Sequence, residues 1–490
     1  MIQRYGIYEI VLSRTIDAAS NPFVDVTLSA AFTQRNRVVH VDGFYDGDGI
    51  YRIRLMPDQT GEWTYATHCN LPDLDDQHGS FIVGPAAPGQ HGPVRVANAT
   101  NFAYDDGAPY SPIGTTCYVW NHQGDGLEER TLATLATAPF NKIRMCVFPK
   151  HYDYNHNEPG FFAFEQTASG FDWTRFNPAF FQRLEKRIAQ LGALGIEADL
   201  ILFHPYDRWG FSHMDRATDE CYLRYIVARL SAFANVWWSF ANEYDLMPAK
   251  SMQDWDDYFR LVQTSDPAQH LRSIHNCRGF YDHAKPWVTH CSIQSSDLHR
   301  AAEWVGQYGK PVVFDECCYE GNINHGWGNI TAQTMVHRFW DGFTRGAYVG
   351  HGETFMHPDE ILWWAKGGDL HGQSPTRIAF LRRVIEDAPA GHIVPIDIHW
   401  DVACAGIPGE YYLFYFGNRQ PSFRVLPLPA DRRFTIEVID TWEMTLTELP
   451  GTHSGDTRVE LPARSNIALR VRRSGERGRR GEGEKRWEGA

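Results

Sequence analysis

Residues 236–245 read VWWSFANEYD, and MQDWDDYFRLVQTS follows at 252–265. The first five residues form a bulky apolar run, as expected for a strand of a parallel sheet that is covered on both faces. The second stretch has the apolar periodicity of an amphipathic helix. The segment is therefore predicted to be one strand–helix unit. An amide and a carboxylate, Asn242 and Glu243, stand where its strand ends.

The same unit recurs between residues 108 and 390. Eight strand candidates are present, and seven have a clear following helix; the helix between strands five and six is missing or very short. The candidates are 110–120, 142–148, 197–203, 236–240, 271–276, 287–293, 310–316 and 347–354. Eight such units over about 280 residues match an α/β fold of the (β/α)8 TIM barrel type better than an open doubly wound sheet.

Stretches with the pattern of antiparallel sheets flank this barrel. Residues 1–95 alternate apolar and polar positions between turn residues, which predicts a small N-terminal β-sandwich. A Pro/Gly-rich segment at 84–93 marks the boundary with the barrel, 96–390. Short alternating strands predict a C-terminal β-domain over 391–473, and the charged, Gly-rich residues 474–490 are expected to be a disordered tail. We expect the flanking domains to brace the barrel, because the links are short.

Composition narrows the class of protein. The formal net charge of −14 argues against a nucleic-acid partner. The sequence contains no apolar run of 18 residues, so no membrane span is predicted. The nine Cys show no C-x-x-C pair and no disulfide-framework spacing, which favours a reducing compartment. Because no signal peptide is recognisable either, a cytoplasmic location is expected unless a leader has been lost. The 16 Trp suit either a sugar-binding cleft or large β-rich cores. A homo-oligomer is left open.

The strand ends carry the chemistry. In a TIM barrel the loops after the strands build the binding face. Glu243 and Glu316 end strands four and seven, on roughly opposite sides of the ring, and their side chains could converge to about 5–5.5 Å, as a retaining glycosidase requires. One pKa of such a pair rises, and that group can act as an acid. Asp315 competes with Glu316, because adjacent strand residues point to opposite faces.

The order Asn-Glu after strand four and Glu after strand seven resembles the clan A glycoside hydrolases, which are retaining (β/α)8 enzymes. The resemblance implies that Glu243 is the acid/base and Glu316 the nucleophile. It also implies that Asn242 holds the substrate 2-hydroxyl and that Arg144 on strand two hydrogen-bonds the nucleophile. His275 matches a strand-five position where the clan often has His.

One feature of the clan has no obvious match. The strand-six Tyr of many members is absent from VTHCSIQSS at 288–296, where His290 or Gln294 could stand in.

A narrower resemblance covers most of the chain. The stretches VDGFYDGDGIYRIRLMPDQTGEWTY, PIGTTCYVWNHQ, LFHPYDRWGFSHM and HGETFMHPDEILWWAKGGDLHGQSPTRIAFLR are similar to an uncharacterised bacterial family of glycoside hydrolases. Its members join an N-terminal β-sandwich, an apiosidase-like barrel and a short C-terminal β-domain, but the family name fixes no substrate.

Further residues of the strand-end loops are candidate sugar-binding groups. They are Trp120, His122 and Gln123 after strand one, His204 and Asp207 after strand three, His351 and Glu353 after strand eight, and Trp363 and Trp364 before the last helix. The strand-one group could equally form a hydrogen-bonded loop cluster, and one of the two tryptophans is expected in the core. Lys150 and His151 are candidate walls of the cleft.

These patterns predict a retaining glycoside hydrolase that acts by double displacement on an oligosaccharide or glycoside, without metal or organic cofactor. A non-catalytic carbohydrate-binding protein on the same scaffold is the main alternative, and the presence of both Glu side chains disfavours it. A metal-dependent barrel hydrolase is less favoured, since H-x-H on strand one and H-E-x-x-H are absent. A serine hydrolase lacks its G-x-S-x-G.

Overall fold

The computed structural model describes residues 1–15, 20–357, 362–389 and 393–475, which form an N-terminal sheet, a (β/α)8 barrel and a C-terminal sheet. The tail expected at 474–490 lies almost wholly outside the described residues. Within them, no helix is long and apolar enough to cross a membrane.

Seven strands form the N-terminal sheet. In spatial order they are Ile2–Gln3, His78–Gly84, Gly61–Cys69, Leu28–Gln34, Arg37–Tyr45, Ile50–Leu55 and Tyr8–Ser13. The sheet folds back on itself, because the Tyr8 ring of one edge strand stacks on Phe81, near the other edge, with the ring centroids 3.6 Å apart. Phe32, Ile53 and Trp63 are buried between the layers. The two edges thus close around one apolar core.

Eight parallel strands form the barrel, and their order in space follows the chain. Strands one to eight are Gly114–Thr116, Lys142–Cys146, Glu197–Phe203, Val236–Ala241, Arg272–Ser273, Cys291–Gln294, Val312–Glu316 and Ala347–His351. Strand eight pairs with strand one, and a bridge between His275 and Ser292 links strands five and six. The predicted TIM barrel is therefore confirmed.

Within the described residues, seven helices of eight or more residues cover the barrel. They are Asp125–Leu135, Pro178–Ala193, Arg216–Leu230, Met252–Ser265, Ala301–Tyr308, Ala332–Thr344 and Ser374–Glu386. No helix lies in the described residues 274–290, so the predicted gap between strands five and six is present. Local sequence sets the helix starts: the Asn177 side chain accepts the Ala179 N–H, and Ser251 with Asp254 forms a capping box.

Shorter elements complete the barrel. The loops contain strands Phe164–Thr167, Gly170–Phe176, Glu320–Gly321 and Glu353–Thr354, helix Trp363–Lys366, and 3-10 turns Trp120–His122, Phe211–His213, Tyr244–Leu246 and Leu298–Arg300. A small sheet of Val94–Val96, Phe102–Tyr104 and Pro109–Tyr110 precedes strand one. Its Phe102 packs on Trp237 and Tyr348, near the starts of strands four and eight. The amino-terminal end of the barrel is thus covered, and ligands must enter at the carboxyl end.

The C-terminal sheet packs on the side of the barrel. Its strands, in spatial order, are Val394–Pro395, Ala403–Ile407, Tyr411–Gly417, Ile467–Arg473, Phe434–Asp440 and Thr445–Glu448, beside a separate pair, Phe423–Pro427 and Asp456–Glu460. The Tyr415 ring lies 5.7 Å from that of Trp340, and its hydroxyl 3.0 Å from His337 Nδ1. The N-terminal sheet is joined to the barrel by an Arg229–Asp46 ion pair of 2.8 Å. Both flanking sheets therefore pack directly on the barrel.

Candidate active site

A chain of hydrogen bonds joins the carboxylates that end strands four and seven. Arg144 donates from Nη1 to Glu316 Oε1 at 2.8 Å and from Nη2 to Asn242 Oδ1 at 2.7 Å. The Asn242 amide nitrogen donates to Glu243 Oε2 at 3.2 Å. All four side chains are buried, where charge-assisted bonds are strong because the dielectric is low. Residues from strands two, four and seven are thereby fixed in one network.

Strand four ends in a turn that carries Asn242 and Glu243 to the same side. Glu243 has φ 53° and ψ 53°, a left-handed conformation that costs a non-glycine residue about 1–3 kcal/mol. This turn breaks the strand alternation that would send neighbouring side chains apart. The Glu243 carboxylate also accepts a hydrogen bond from the Tyr206 hydroxyl. Such strain persists where the surroundings over-determine it, and it clusters at functional sites.

Glu316 receives a second donor from strand one. The Tyr118 hydroxyl donates to Glu316 and lies 3.2 Å from Asn242 Oδ1. Arg144 and Tyr118 thus bond the same carboxylate oxygen, Glu316 Oε1. The clan resemblance implies a Tyr on strand six; in this structure a tyrosine hydroxyl reaches Glu316 from beyond strand one, at Tyr118.

The two strand-six candidates lie in different places. His290 packs with its ring 5.2 Å from that of Trp237, at the covered end of the barrel. Gln294 lies at the open end; with its amide nitrogen turned inward, it donates to Glu243 Oε1 at 3.2 Å. Gln294 therefore borders the network, on the side of Glu243 rather than Glu316.

Asp315 and Glu316 occupy successive layers inside the barrel. Lys142 and Arg144 are two residues apart on strand two; Asp315 pairs with Lys142 at 2.8 Å, and Glu316 pairs with Arg144. Asp315 also accepts from Ser292 Oγ at 2.5 Å. Both acidic residues reach the interior, contrary to the expected alternation, because the pairing of strands six and seven shifts register between Ser292 and Gln294. Only Glu316 contacts the Arg144–Asn242 network.

The electrostatics push the two carboxyl groups in opposite directions. Burial, followed by repulsion from Glu316, raises the pKa of Glu243. Burial also acts to raise the pKa of Glu316, but His275, Arg144 and the Tyr118 bond outweigh it and lower the pKa. Burial and Arg144 lower the pKa of His275 itself to about 3. Because His275 is charged only at a pH near or below that value, its ring is neutral at pH 7, and the cation that favours ionised Glu316 there is Arg144.

The residues after strand one support the loop more than they face the cleft. Trp120 is fully buried. His122 Nε2 lies 3.0 Å from the Val147 carbonyl oxygen, and Gln123 donates from Nε2 to the Val119 carbonyl at 2.9 Å. This geometry favours the hydrogen-bonded loop cluster that the sequence analysis left open.

The residues after strand three are also tied to backbone. His204 Nε2 lies 3.2 Å from the Phe148 carbonyl oxygen. Asp207 accepts the backbone N–H groups of Trp209, Gly210 and Ser212, and so builds the turn. Tyr206, between them in sequence, reaches Glu243.

The region after strand eight separates the two tryptophans. Trp363 is buried and donates from Nε1 to Thr115 Oγ1 at 2.9 Å, and His351 Nδ1 lies 3.0 Å from the same hydroxyl. Trp364 is half-buried, with its ring 5.6 Å from that of Tyr118. Trp363 is therefore the core residue of the pair, and Trp364 borders the network.

Glu353 serves the loop that leads into the last helix. Its carboxylate accepts the backbone N–H of Gly372 at 2.9 Å, while Glu320 accepts those of Gln373 at 2.8 Å and Ser374 at 3.1 Å. Burial raises the pKa of Glu353 to about 7. Glu353 thus binds backbone donors rather than the Arg144–Asn242 network.

Sequence reasoning missed two tyrosines and gave Lys150 only a minor role. Tyr118 lies two residues beyond strand one, and Tyr206 three beyond strand three. A tyrosine so soon after a strand end was the available signal, since that is where barrel sites are built. Within the described part of the chain, no three His, Cys, Asp or Glu side chains form a group that could hold a metal ion.

An eight-stranded parallel barrel with buried carboxylates joined across its open end has the architecture of the glycoside hydrolase barrels. A glycoside hydrolase family 5 structure from Bacteroides vulgatus ATCC 8482 shares the fold at 15% identity, with a TM-score of 0.62 over 79% of this chain and 94% of that chain. A second structure, described as a glycoside hydrolase, has a TM-score of 0.61 at 15% identity over 79% and 98% of the two chains.

The chain belongs to the family described as "Apiosidase-like, catalytic domain", whose model matches residues 97–391. Residues 1–70 and 400–472 match models described as domains of unknown function. The chain is 39% identical to a "putative glycoside hydrolase" from Bacteroides vulgatus ATCC 8482, with a TM-score of 0.92 over 96% of this chain and 99% of that chain. None of the curated proteins matches it. The family resemblance inferred from the sequence motifs is therefore confirmed.

Proposed function

We propose that the protein is a retaining glycoside hydrolase in which Glu316 is the nucleophile and Glu243 the acid/base. The observation that carries the proposal is the joined pair of strand-end carboxyls with opposed pKa shifts. Titratable pairs whose environments separate their pKa values are typical of acid and nucleophile assignments.

In the first step, an ionised Glu316 oxygen attacks the anomeric carbon while protonated Glu243 gives its proton to the departing oxygen. One carbon–oxygen bond forms to Glu316 and the glycosidic bond breaks. Arg144 and Tyr118 keep Glu316 ionised and oriented before the attack. The Asn242 amide group donates one hydrogen to Glu243. Its second hydrogen is suited to bind the sugar 2-hydroxyl, and hydrogen bonds to that hydroxyl strengthen in the transition state.

In the second step, Glu243 is a carboxylate and accepts a proton from water as that water attacks the anomeric carbon. The bond to Glu316 breaks, and the sugar leaves with its original configuration after two inversions. Loss of the negative charge of Glu316 on glycosylation lowers the pKa of Glu243, because the repulsion that raised it is removed. The same residue is therefore an acid in the first step and a base in the second.

A substrate screen with two variants tests this function. Wild type, Glu316→Ala and Glu243→Ala are assayed on aryl α- and β-glycosides and on plant and bacterial oligosaccharides, with proton NMR following the first anomer released. We expect retention by wild type. Azide should restore Glu316→Ala with an inverted glycosyl azide, and Glu243→Ala with a retained one. Glu303→Ala, an exposed residue of helix Ala301–Tyr308, is the matched control.

The nucleophile assignment and the double-displacement mechanism can be contradicted separately. Unimpaired turnover by Glu316→Ala would remove the nucleophile assignment, and inversion by wild type would remove double displacement. Binding of glycans on an array, with no turnover of any of them, would instead support the carbohydrate-binding alternative.

A further inference from the structure

Lys150 lies at the open end of the barrel with its ammonium group inside a cage of aromatic rings. Its Nζ is 3.5 Å from the ring centroid of Tyr118, 4.1 Å from that of Tyr206, 4.5 Å from that of Tyr152 and 5.7 Å from that of Trp364. The residue is only 2% exposed. Cation–π contacts become stronger when the cation is desolvated, so these rings replace much of the lost hydration.

This arrangement differs from that of the other buried lysines. Lys142 pairs with Asp199 and Asp315, and Lys250 pairs with Asp219. Among the described residues, Lys150 forms no ion pair, although a buried charge is costly without a partner. A methionine or leucine would fill an aromatic pocket without the cost of burying a charge, so the presence of an ammonium group here calls for an electrostatic explanation.

The identity of the two nearest rings supplies that explanation. The Tyr118 hydroxyl donates to Glu316, and the Tyr206 hydroxyl donates to Glu243. A cation on the face of a phenol withdraws electron density and makes its O–H a stronger donor. We propose that Lys150 is a positioning residue that clamps Tyr118 and Tyr206 and, through them and its own charge, stabilises the ionised forms of both carboxyl groups.

The charges around Lys150 agree with this role. Burial lowers the pKa of Lys150, and the acidic groups that face it, Cys146, Glu243 and Glu316, act in the opposite direction. Arg144 faces it as a second cation, and the neutral, buried His204 is its neighbour from strand three. The Lys150 charge lowers the pKa of both Glu243 and Glu316. Its removal must therefore raise both values.

The test compares Lys150→Met and Lys150→Gln, which remove the charge, with Lys150→Arg, which keeps it. Lys285→Met is the control, because Lys285 also lies over tyrosine and tryptophan rings but pairs with Asp256 at 2.6 Å, outside the network. Circular dichroism and thermal unfolding first establish which variants are folded. Carboxyl groups of protein labelled with 13C-glutamate are then titrated by NMR, with Glu243→Gln and Glu316→Gln providing assignments. This NMR titration needs no substrate.

We expect both carboxyl titrations to move to higher pH by about one unit in Lys150→Met or Lys150→Gln, and to stay near wild type in Lys150→Arg and Lys285→Met. Unchanged titrations in a folded neutral variant would overturn the proposal. A second arm rests on the proposed function: both limbs of the pH profile of kcat/KM should move upward together. A loss confined to KM, with unmoved limbs, would also overturn the proposal and assign the ammonium to substrate binding. Absence of activity would contradict only the proposed function.

Discussion

Strand four and strand eight are both followed by a buried glutamate, but the two glutamates have different partners. Glu243 accepts from the side chains of Asn242 and Tyr206, and its pKa is raised by burial and by Glu316. Glu353 accepts backbone N–H groups from the loop before the last helix, and burial raises its pKa to about 7. Position at a strand end and a raised pKa are common to both.

The candidate site differs from the strand-eight loop in the groups that hold its carboxylate. A carboxylate satisfied by the backbone N–H groups of His371 and Gly372 is committed to shaping its loop. A carboxylate held by side chains, and coupled to a second carboxylate through Arg144, can change protonation without unfolding a loop. The partners of a strand-end glutamate are therefore more informative than its location.

The largest expected effect separates the two glutamates directly. Glu316→Gln removes the proposed nucleophile and should lower kcat by about 10⁴-fold or more. Glu353→Gln should leave kcat/KM within about threefold of wild type, because the buried Glu353 bonds the backbone of its own loop and loss of such bonds acts mainly on stability. Steady-state kinetics on the substrate found by the screen measures both. A comparable loss in both variants would break the distinction between the two sites.

An intermediate effect sharpens the assignment within the network. Tyr118→Phe removes a donor to Glu316, and Tyr206→Phe removes a donor to Glu243; each bond lowers the pKa of its carboxyl group. We expect a bell-shaped pH profile of kcat/KM whose acid limb moves upward in Tyr118→Phe and whose alkaline limb moves upward in Tyr206→Phe. Each variant should lose about 10- to 100-fold in rate.

The two limbs of the pH profile also test which glutamate has which role. The acid limb reports deprotonation of Glu316 and the alkaline limb deprotonation of Glu243. If Tyr118→Phe moved the alkaline limb and left the acid limb in place, the two roles would have to be exchanged.

The smallest effect on activity is expected at the strand-eight glutamate, where the change concerns stability instead. A folded-state pKa of about 7 for Glu353, above the ordinary 4.5, means that its contribution is fully present below pH 4.5 and is lost as the pH rises through 7. The loss amounts to about 3 kcal/mol at most. Glu353→Gln should abolish this component, so that its free energy of unfolding, from urea titrations at pH 4.5 and 7.5, changes less with pH than that of wild type. Equal pH dependence in the two proteins would contradict the burial argument.

The sequence was informative wherever a residue's place follows from strand order. The eight strands, the gap between strands five and six, and the grouping of Arg144, Asn242, Glu243 and Glu316 follow from the rule that barrel sites form at the carboxyl ends of strands. Alternation alone could not rank Asp315 against Glu316, because a register shift between strands six and seven overrides it.

The rest depends on loops. Tyr118, Tyr206 and Tyr152 come from three different loops, and they converge on Lys150 only once the barrel is closed. No periodicity links such residues, since each loop path is set by tertiary contacts. Candidates such as Asp207 were indistinguishable in sequence from cleft residues, because a carboxylate that binds backbone N–H groups has the same local pattern as one that binds a ligand.

The most direct test of the paired-carboxyl account is to trap the covalent intermediate. The protein would be incubated with the 2-deoxy-2-fluoro dinitrophenyl glycoside of the sugar it hydrolyses, and the adduct located by intact mass and peptide mapping. We predict one added glycosyl group on Glu316, formed at a normal rate in Glu353→Gln and absent in Glu316→Gln. An adduct on any other residue, or turnover with inversion and no adduct, would contradict the account.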